Sequence, residues 1–389
     1  MLPFASPEQF MLASDVYRHA ADAMLAGEDL YAVSPPRLPG YNFIYPPIVI
    51  LLFVPHALVD SALAAYAIQF LLNVACGIGS TVIVARALQR RGLTLGRIDW
   101  ALLVAFVLVS AHSAITLANG QVTIPLGFAI ALGLDALDRN RDAAAGTAFA
   151  TAALVKVFPA AIGLWLLRRR AWRGVAAAIA TGLGGLALGA LILGPEVTVT
   201  YVQDVLLGRL EGETYDGAPA PDQSVGGAQR QLAALTGLGS SVLGIAAVLV
   251  VAPVLVALYR QVDTDARRQA AVLGTILCVL LAIPLQRLYM LLFAFPLLVL
   301  LYTLPSSRAR TVLILGALVS FVRVSYELAV TTVEGLPLPA VATETTLAML
   351  DSLFTVALPT TLGMWLMLAG CVLVHYGSVP GRDPAEKLR

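Results

Sequence analysis

The chain has 389 residues, of which 59% are hydrophobic and only 13% charged, with a mean hydropathy of +0.83. A soluble domain carries about 25% charged residues, so this composition excludes a water-solvated globule, while the formal net charge of +1 says little because opposite faces of a membrane protein cancel. Cys76, Cys278 and Cys371 lie far apart inside apolar runs, which argues against a disulfide framework or a zinc cluster.

Residues 1–14 lack the basic start and long apolar centre of a signal peptide. Residues 8–26 read as an amphipathic helix in the interface plane, with Phe10, Ala13, Tyr17, Ala20 and Met24 on one stripe and Asp15, His19 and Asp22 turned to water. Residues 28–42, rich in Pro, Gly and Tyr, read as an ordered loop. Tyr45-Pro46-Pro47 opens an apolar segment that ends near Val59, too short for a span and therefore re-entrant or interfacial. Spans are predicted at 61–88, 99–118, 122–138, 172–193, 241–259, 269–285, 288–304, 311–332 and 350–375. Residues 143–167 are predicted as a hairpin of two short helices turning at residues 156–159. A single span there would carry Arg168, Arg169, Arg170 and Arg173 away from the other basic clusters, and Pro159 supplies the break.

The sum is an all-α polytopic transmembrane bundle of about eleven membrane segments, forming one domain over residues 1–389. An outer helix and re-entrant piece occupy 1–60, spans fill 61–375 and a tail covers 376–389. Most Lys and Arg fall on the side of Arg86, Arg90, Arg91, Arg139, Arg141, Arg168 to Arg173, Arg260, Arg267 and Arg268, which the positive-inside rule makes cytoplasmic. The C-terminus is then cytoplasmic, and a plasma-membrane location is expected. The stretch 195–235 is the largest outer loop and contains no core of its own.

The unusual polar residues converge on the outer side: Asp15 with His19, Asn119-Gly120-Gln121, Lys156, Gln223, Ser224, Arg230 and Gln286-Arg287. An ionisable group at membrane depth is a functional hypothesis by default. Lys156 has no acid within helical reach, so its charge calls for an external anion such as a lipid phosphate; the structural alternative is a snorkelling lysine. Asp15 has the chemistry of a general base, although spacing alone reads first as a solvated face. His19 is an orienting or surface residue. Arg323 and Glu327 read as an intrahelical pair, His112 and Asn73 as interhelical hydrogen-bonding groups, and Gly185 with Gly189 as a packing motif. His56 and His375 show no partner.

Taken in order, these outward residues resemble the GT-C superfamily, specifically glycosyltransferase family 87. The pieces are Asp15-Val16-Tyr17 with Ala20-Ala21 and Leu25 to Tyr31, Tyr45-Pro46-Pro47, Gly120-Gln121-Val122, Lys156 to Pro159, and Asp222-Gln223-Ser224 with Arg230. The resemblance implies a GT-C-type bundle that transfers a hexose, mannose above all, from polyprenyl or dolichyl phosphate to a lipid or glycan acceptor on the extracytoplasmic side, with inversion. It makes Asp15 the catalytic base. Lys156, Arg230 and Arg287 become candidates for the leaving phosphate, and Gln121, Gln223, His19 and Tyr45 candidates for substrate binding. No metal or cofactor is expected, since the donor is not a nucleotide sugar, and no nucleic acid is a partner.

Two departures stand out. The family normally places a cytoplasmic segment and a span before the acid, where this chain has fourteen residues. Its late Ser-Pro-x-Ser-Trp-x-His-like motif aligns with Ile283-Pro284-Leu285-Gln286-Arg287-Leu288-Tyr289, which has no histidine, so that role passes to Tyr289 or is absent. The competing readings are a transporter or flippase of lipid-linked sugars and an inactive paralogue acting as an assembly subunit.

Overall fold

The computed structural model describes residues 9–208, 215, 217–284, 287–322 and 324–377, with the side chains at 240, 241, 287 and 288 excepted. Arg323, and with it the expected Arg323–Glu327 pair, lies outside the described residues, as do Gln286 and the tail from residue 378. Helices and their connections make up the structure. In order they are α1 (Leu12–Ala26), a 3-10 segment Pro47–Phe53 running into α2 (Val54–Ala57), α3 (Ala62–Arg90), α4 (Arg97–Val104), α5 (Ala111–Asn119), α6 (Thr123–Asp138), α7 (Asp142–Val155), α8 (Gly163–Arg168), α9 (Trp172–Leu193), α10 (Pro195–Thr200), α11 (Ala228–Thr236), α12 (Ser240–Arg260), α13 (Asp265–Ala282), α14 (Ala294–Thr303), α15 (Arg308–Phe321), α16 (Tyr326–Glu334), α17 (Ala340–Val356) and α18 (Pro359–Tyr376).

Among the described residues four helices are long and apolar enough to cross a bilayer: α3, α9, most of α12, and α18. The number rises to six if two bent pairs each count as one span. One pair is 97–109 with α5, bent by 47°; the other is α15 with α16, bent by 82°. The chain is a helical membrane protein. Several of the expected spans are shorter than a crossing, such as α6 at 16 residues.

Two expected spans need correction. The run 311–332 is broken after Phe321, and Ser325 caps a new helix by accepting from the Leu328 N–H. The run 350–375 is two helices: α17 ends at Val356, and α18 starts on Pro359, whose fixed φ suits a first helical position while forcing Leu358 into extended backbone. The stretch 195–235 is also more ordered than a plain loop, since it contains α10, a π-helical turn Tyr201–Leu207 and α11.

The hairpin reading of 143–167 holds. α7 and α9 lie side by side and parallel: a Cβ on Gly146 would meet the backbone of Gly174 near their starts, and one on Gly185 would meet the Leu154 side chain near the end of α7. Two successive helices are parallel only if the segment between them returns the chain, and α8 does so after a break at Lys156, whose φ of −139° and ψ of 125° leave the helix. Arg169 then donates to the Leu137 carbonyl at 3.4 Å and Arg168 to the Tyr259 carbonyl at 2.6 Å. Both arginines therefore join the end of the bundle that holds Arg139 and Arg260.

That basic end is laced by ion pairs. Arg91, which caps the end of α3, bonds Asp265 of α13 at 2.7 Å and lies 2.8 Å from Asp138 of α6, and Asp135 pairs with Arg90 and Arg139. At the centre, α13 and α14 contribute fully buried Leu277, Leu280, Leu281, Leu297 and Leu300. His112 lies 2.8 Å from the Ser320 carbonyl, the interhelical bond expected of it.

α15 and α18 cross antiparallel along a glycine seam, with residue pairs 313/370, 316/367 and 320/363 in register. A Cβ on Gly363 would sit 2.4 Å from the Ser320 nitrogen, and one on Gly316 2.6 Å from the Met367 nitrogen. Backbone cannot step aside as a side chain can, so Gly363→Val is expected to destabilise the protein by about 2 kcal/mol or more. Thermal exposure of the buried Cys278 and Cys371 to a thiol-reactive dye in detergent measures this. Gly182→Ala, which meets nothing within 4 Å, is expected to be neutral in the same assay.

Candidate active site

The end of the bundle opposite the basic one is built around α1. Its docking begins with the Met11 N–H, which donates to the Ala118 carbonyl at 2.8 Å. Gly120 follows with φ of 67°, and a Cβ there would come 2.8 Å from Ser14 Cβ, so glycine at this turn is what lets α1 lie against it. Tyr17 stacks on Phe53 with centroids 4.1 Å apart, packing α1 against the segment 47–57.

Asp15 does not face water as the helical wheel implies. It is only 5% exposed, because the loop after α1 folds across that face. Arg37 from this loop donates to Asp15 Oδ2 through Nε at 3.2 Å and a terminal nitrogen at 3.1 Å. His19 Nδ1 lies 3.7 Å from Oδ1 and 3.0 Å from the Asp15 carbonyl oxygen. Asp22 does face outward and pairs loosely with Arg18 at 3.8 Å. The carboxylate is thus sheltered, countered by a guanidinium on one oxygen, and freer on the other. Arg37 was not legible as a site residue; the one available signal is that it is the sole cation in the loop 28–42.

Two residues on from Asp15 and on the other face of α1, the Tyr17 hydroxyl lies 2.9 Å from that of Tyr45 and donates to Gln121 Oε1 at 3.2 Å. With the Tyr17 proton committed to Gln121, Tyr45 donates to Tyr17. Lys156, released from α7 at the hairpin tip, places Nζ 4.7 Å from the Tyr45 ring centroid and 5.7 Å from that of Tyr289. Phe158 meets Tyr289 edge-on at 4.9 Å and fixes its ring. Tyr31 closes the back of the cluster by donating its hydroxyl to the Tyr45 carbonyl at 2.8 Å. Burial raises the Tyr31 pKa far above its ordinary value, which keeps that proton in place. Among the described residues no carboxylate pairs with Lys156. Its charge is met by aromatic faces, which attract a cation without neutralising it.

Asp15, His19, Tyr45, Gln121 and Lys156 are therefore gathered at one end through Tyr17, and Tyr289 joins them. Arg230 is not part of this group. Its guanidinium is fully buried and spends all five N–H donors on carbonyls: Phe354 twice at 3.0 and 2.6 Å, Gln223 at 2.8 Å, Val225 at 3.0 Å and Ala220 at 2.7 Å. That arrangement ties the loop before α11 to the end of α17 and leaves no donor for a phosphate, contrary to the sequence expectation. Gln223 contributes its backbone carbonyl to the same knot. The side chain of Arg287 lies outside the described residues.

No curated protein matches the chain significantly. The family model for glycosyltransferase family 87 matches residues 43–286, a segment that contains Tyr45, Gln121 and Lys156 and begins after Asp15. With well over half of the 389 residues matched, the chain belongs to glycosyltransferase family 87.

Proposed function

We propose that this glycosyltransferase uses a polyprenyl or dolichyl phosphate sugar, a hexose and above all mannose, as donor and a hydroxyl of a lipid or glycan as acceptor. The reaction runs at the extracytoplasmic face of the plasma membrane. The observation that carries the reading is Lys156: an ammonium at the tip of a re-entrant hairpin, braced by two tyrosine rings and without an anionic partner among the described residues, joined through Tyr45 and Tyr17 to the helix bearing Asp15. α7 spans about 21 Å, less than the roughly 30 Å hydrocarbon core. A hairpin entering from the basic side then leaves Lys156 within the membrane's thickness, where a lipid-borne phosphate travels.

In this mechanism Asp15, through the oxygen not held by Arg37, takes the proton of the acceptor hydroxyl as that oxygen attacks the anomeric carbon. The bond from that carbon to the phosphate oxygen breaks, the electron pair leaves with the lipid phosphate, and the configuration inverts. Charge grows on the leaving phosphate, and Lys156 stabilises it there. Arg37 orients the Asp15 side chain through Oδ2 and His19 limits its rotation. The countercharge comes from Lys156, so the scheme uses no metal and no cofactor.

Protein reconstituted with a radiolabelled polyprenyl-phosphate hexose and membrane extract tests this. Asp15→Asn is expected to lower transfer by about 10²-fold or more and Lys156→Ala by about 10²-fold, each without loss of fold. Undiminished transfer by Asp15→Asn removes the base assignment, and protein-dependent movement of the lipid across the bilayer without transfer favours a flippase. Arg230→Gln is expected to behave differently. It leaves buried carbonyls unpaired and lowers thermal stability, by about 2 kcal/mol or more, while protein that remains folded transfers sugar at a near-normal rate.

A further inference from the structure

Beside the Tyr17–Tyr45 cluster, the loop after α1 and the turn after α10 enclose an open cleft of about 330 Å³, within the size range of small-molecule sites, which begins at about 300 Å³. Asp29, Tyr31, Asn42 and Phe43 line it from the loop, and Thr200 and Asp204 from the far wall. Its hydrogen-bonding character is one-sided. Asp29 accepts from the Tyr31 N–H through Oδ1 at 2.8 Å, which leaves Oδ2 uncommitted. Asn42 spends an amide hydrogen on the Tyr31 carbonyl at 2.8 Å, which leaves its oxygen as an acceptor. Asp204 adds a second carboxylate. A cleft so rich in acceptors repels phosphate and suits a ligand that brings many O–H donors. Tyr31 and Phe43, 6.0 Å apart and both buried, form its apolar floor. Tyr31 also bonds the Tyr45 carbonyl, so the cleft adjoins the Lys156 cluster.

We infer that this cleft binds the uncharged sugar headgroup of the acceptor, with Asp29, Asn42 and Asp204 accepting from its hydroxyls. The inference depends on the reading above that the chain glycosylates a hydroxylated acceptor, and it assigns acceptor and donor to adjacent sites of opposite electrostatic character. Carboxylates take the polyol, and the ammonium takes the phosphate.

The test needs no donor, so its outcome is separable from that of the transfer assay. Saturation-transfer NMR with a panel of methyl hexopyranosides is measured on the full chain in detergent, with chelator present throughout. At least one glycoside is expected to bind, with affinity lowered about tenfold or more in Asp204→Asn and in Asn42→Leu and unchanged in Lys156→Ala. In the transfer assay the same two variants raise the acceptor KM and leave the donor KM unaltered. Absence of glycoside binding by the wild type, binding of equal strength in both variants, or binding that appears only when a divalent cation replaces the chelator overturns the inference. The isosteric Asp204→Asn keeps the test interpretable if the larger Asn42 replacement unfolds.

Discussion

The contact on which the site depends is the 2.9 Å approach of the Tyr17 and Tyr45 hydroxyls. Asp15 belongs to an amphipathic helix on the surface of the bundle, while Lys156 belongs to a hairpin inserted from the other end. Sequence places them 141 residues apart, and no element carries both. Tyr17 shares the helix of Asp15, and Tyr45 lies under the ammonium of Lys156. Their hydroxyl contact therefore ties the helix that bears Asp15 to the hairpin tip that bears Lys156, and Gln121 fixes its direction by accepting the Tyr17 proton. Phe53 and Phe43 surround the pair with rings, so the hydroxyls find their partners in each other and in Gln121.

The two ends of the bundle use charge in different ways. At the basic end, arginines and aspartates on α3, α6 and α13 neutralise one another and clamp helix ends together. At the opposite end Asp15 is matched by Arg37, while an ammonium among tyrosines at the hairpin tip and two carboxylates in the cleft beyond Tyr31 have no ion-pair partner among the described residues. Paired charges suit a frame. Unpaired ones leave room for a substrate that supplies the missing partner.

Much of this was legible in the sequence because it follows from local chemistry. The hairpin could be read from Pro159 together with the need to keep Arg168 and Arg169 on the basic side, and the cap at Gly120 from its place between two apolar runs. The break before Pro359 was overlooked because it sits within largely apolar sequence, and the one after Phe321 because Arg323 and Glu327 read as a pair inside one helix, although Pro359 and Ser325 are the residue types that begin helices. Asp15 on the wheel pointed to water, and only the fold of residues 28–46 buries it. Arg37 meets Asp15 across 22 residues of irregular chain, a separation that no periodicity encodes. Arg230 was misjudged for the converse reason: a buried guanidinium saturated by carbonyls and one waiting for a phosphate look alike in sequence.

The central claim is that Lys156 is the phosphate site and that it shares one end of the bundle with Asp15. Cryo-EM of the protein in lipid nanodiscs with bound polyprenyl phosphate examines it directly. The account predicts phosphate density within hydrogen-bond reach of Lys156 Nζ, beside Tyr45 and Tyr289, with the Asp15 carboxylate opening toward the same space. Density for the phosphate at the Arg91–Asp265 end, or a wall of side chains closing Asp15 off from Lys156, would contradict it.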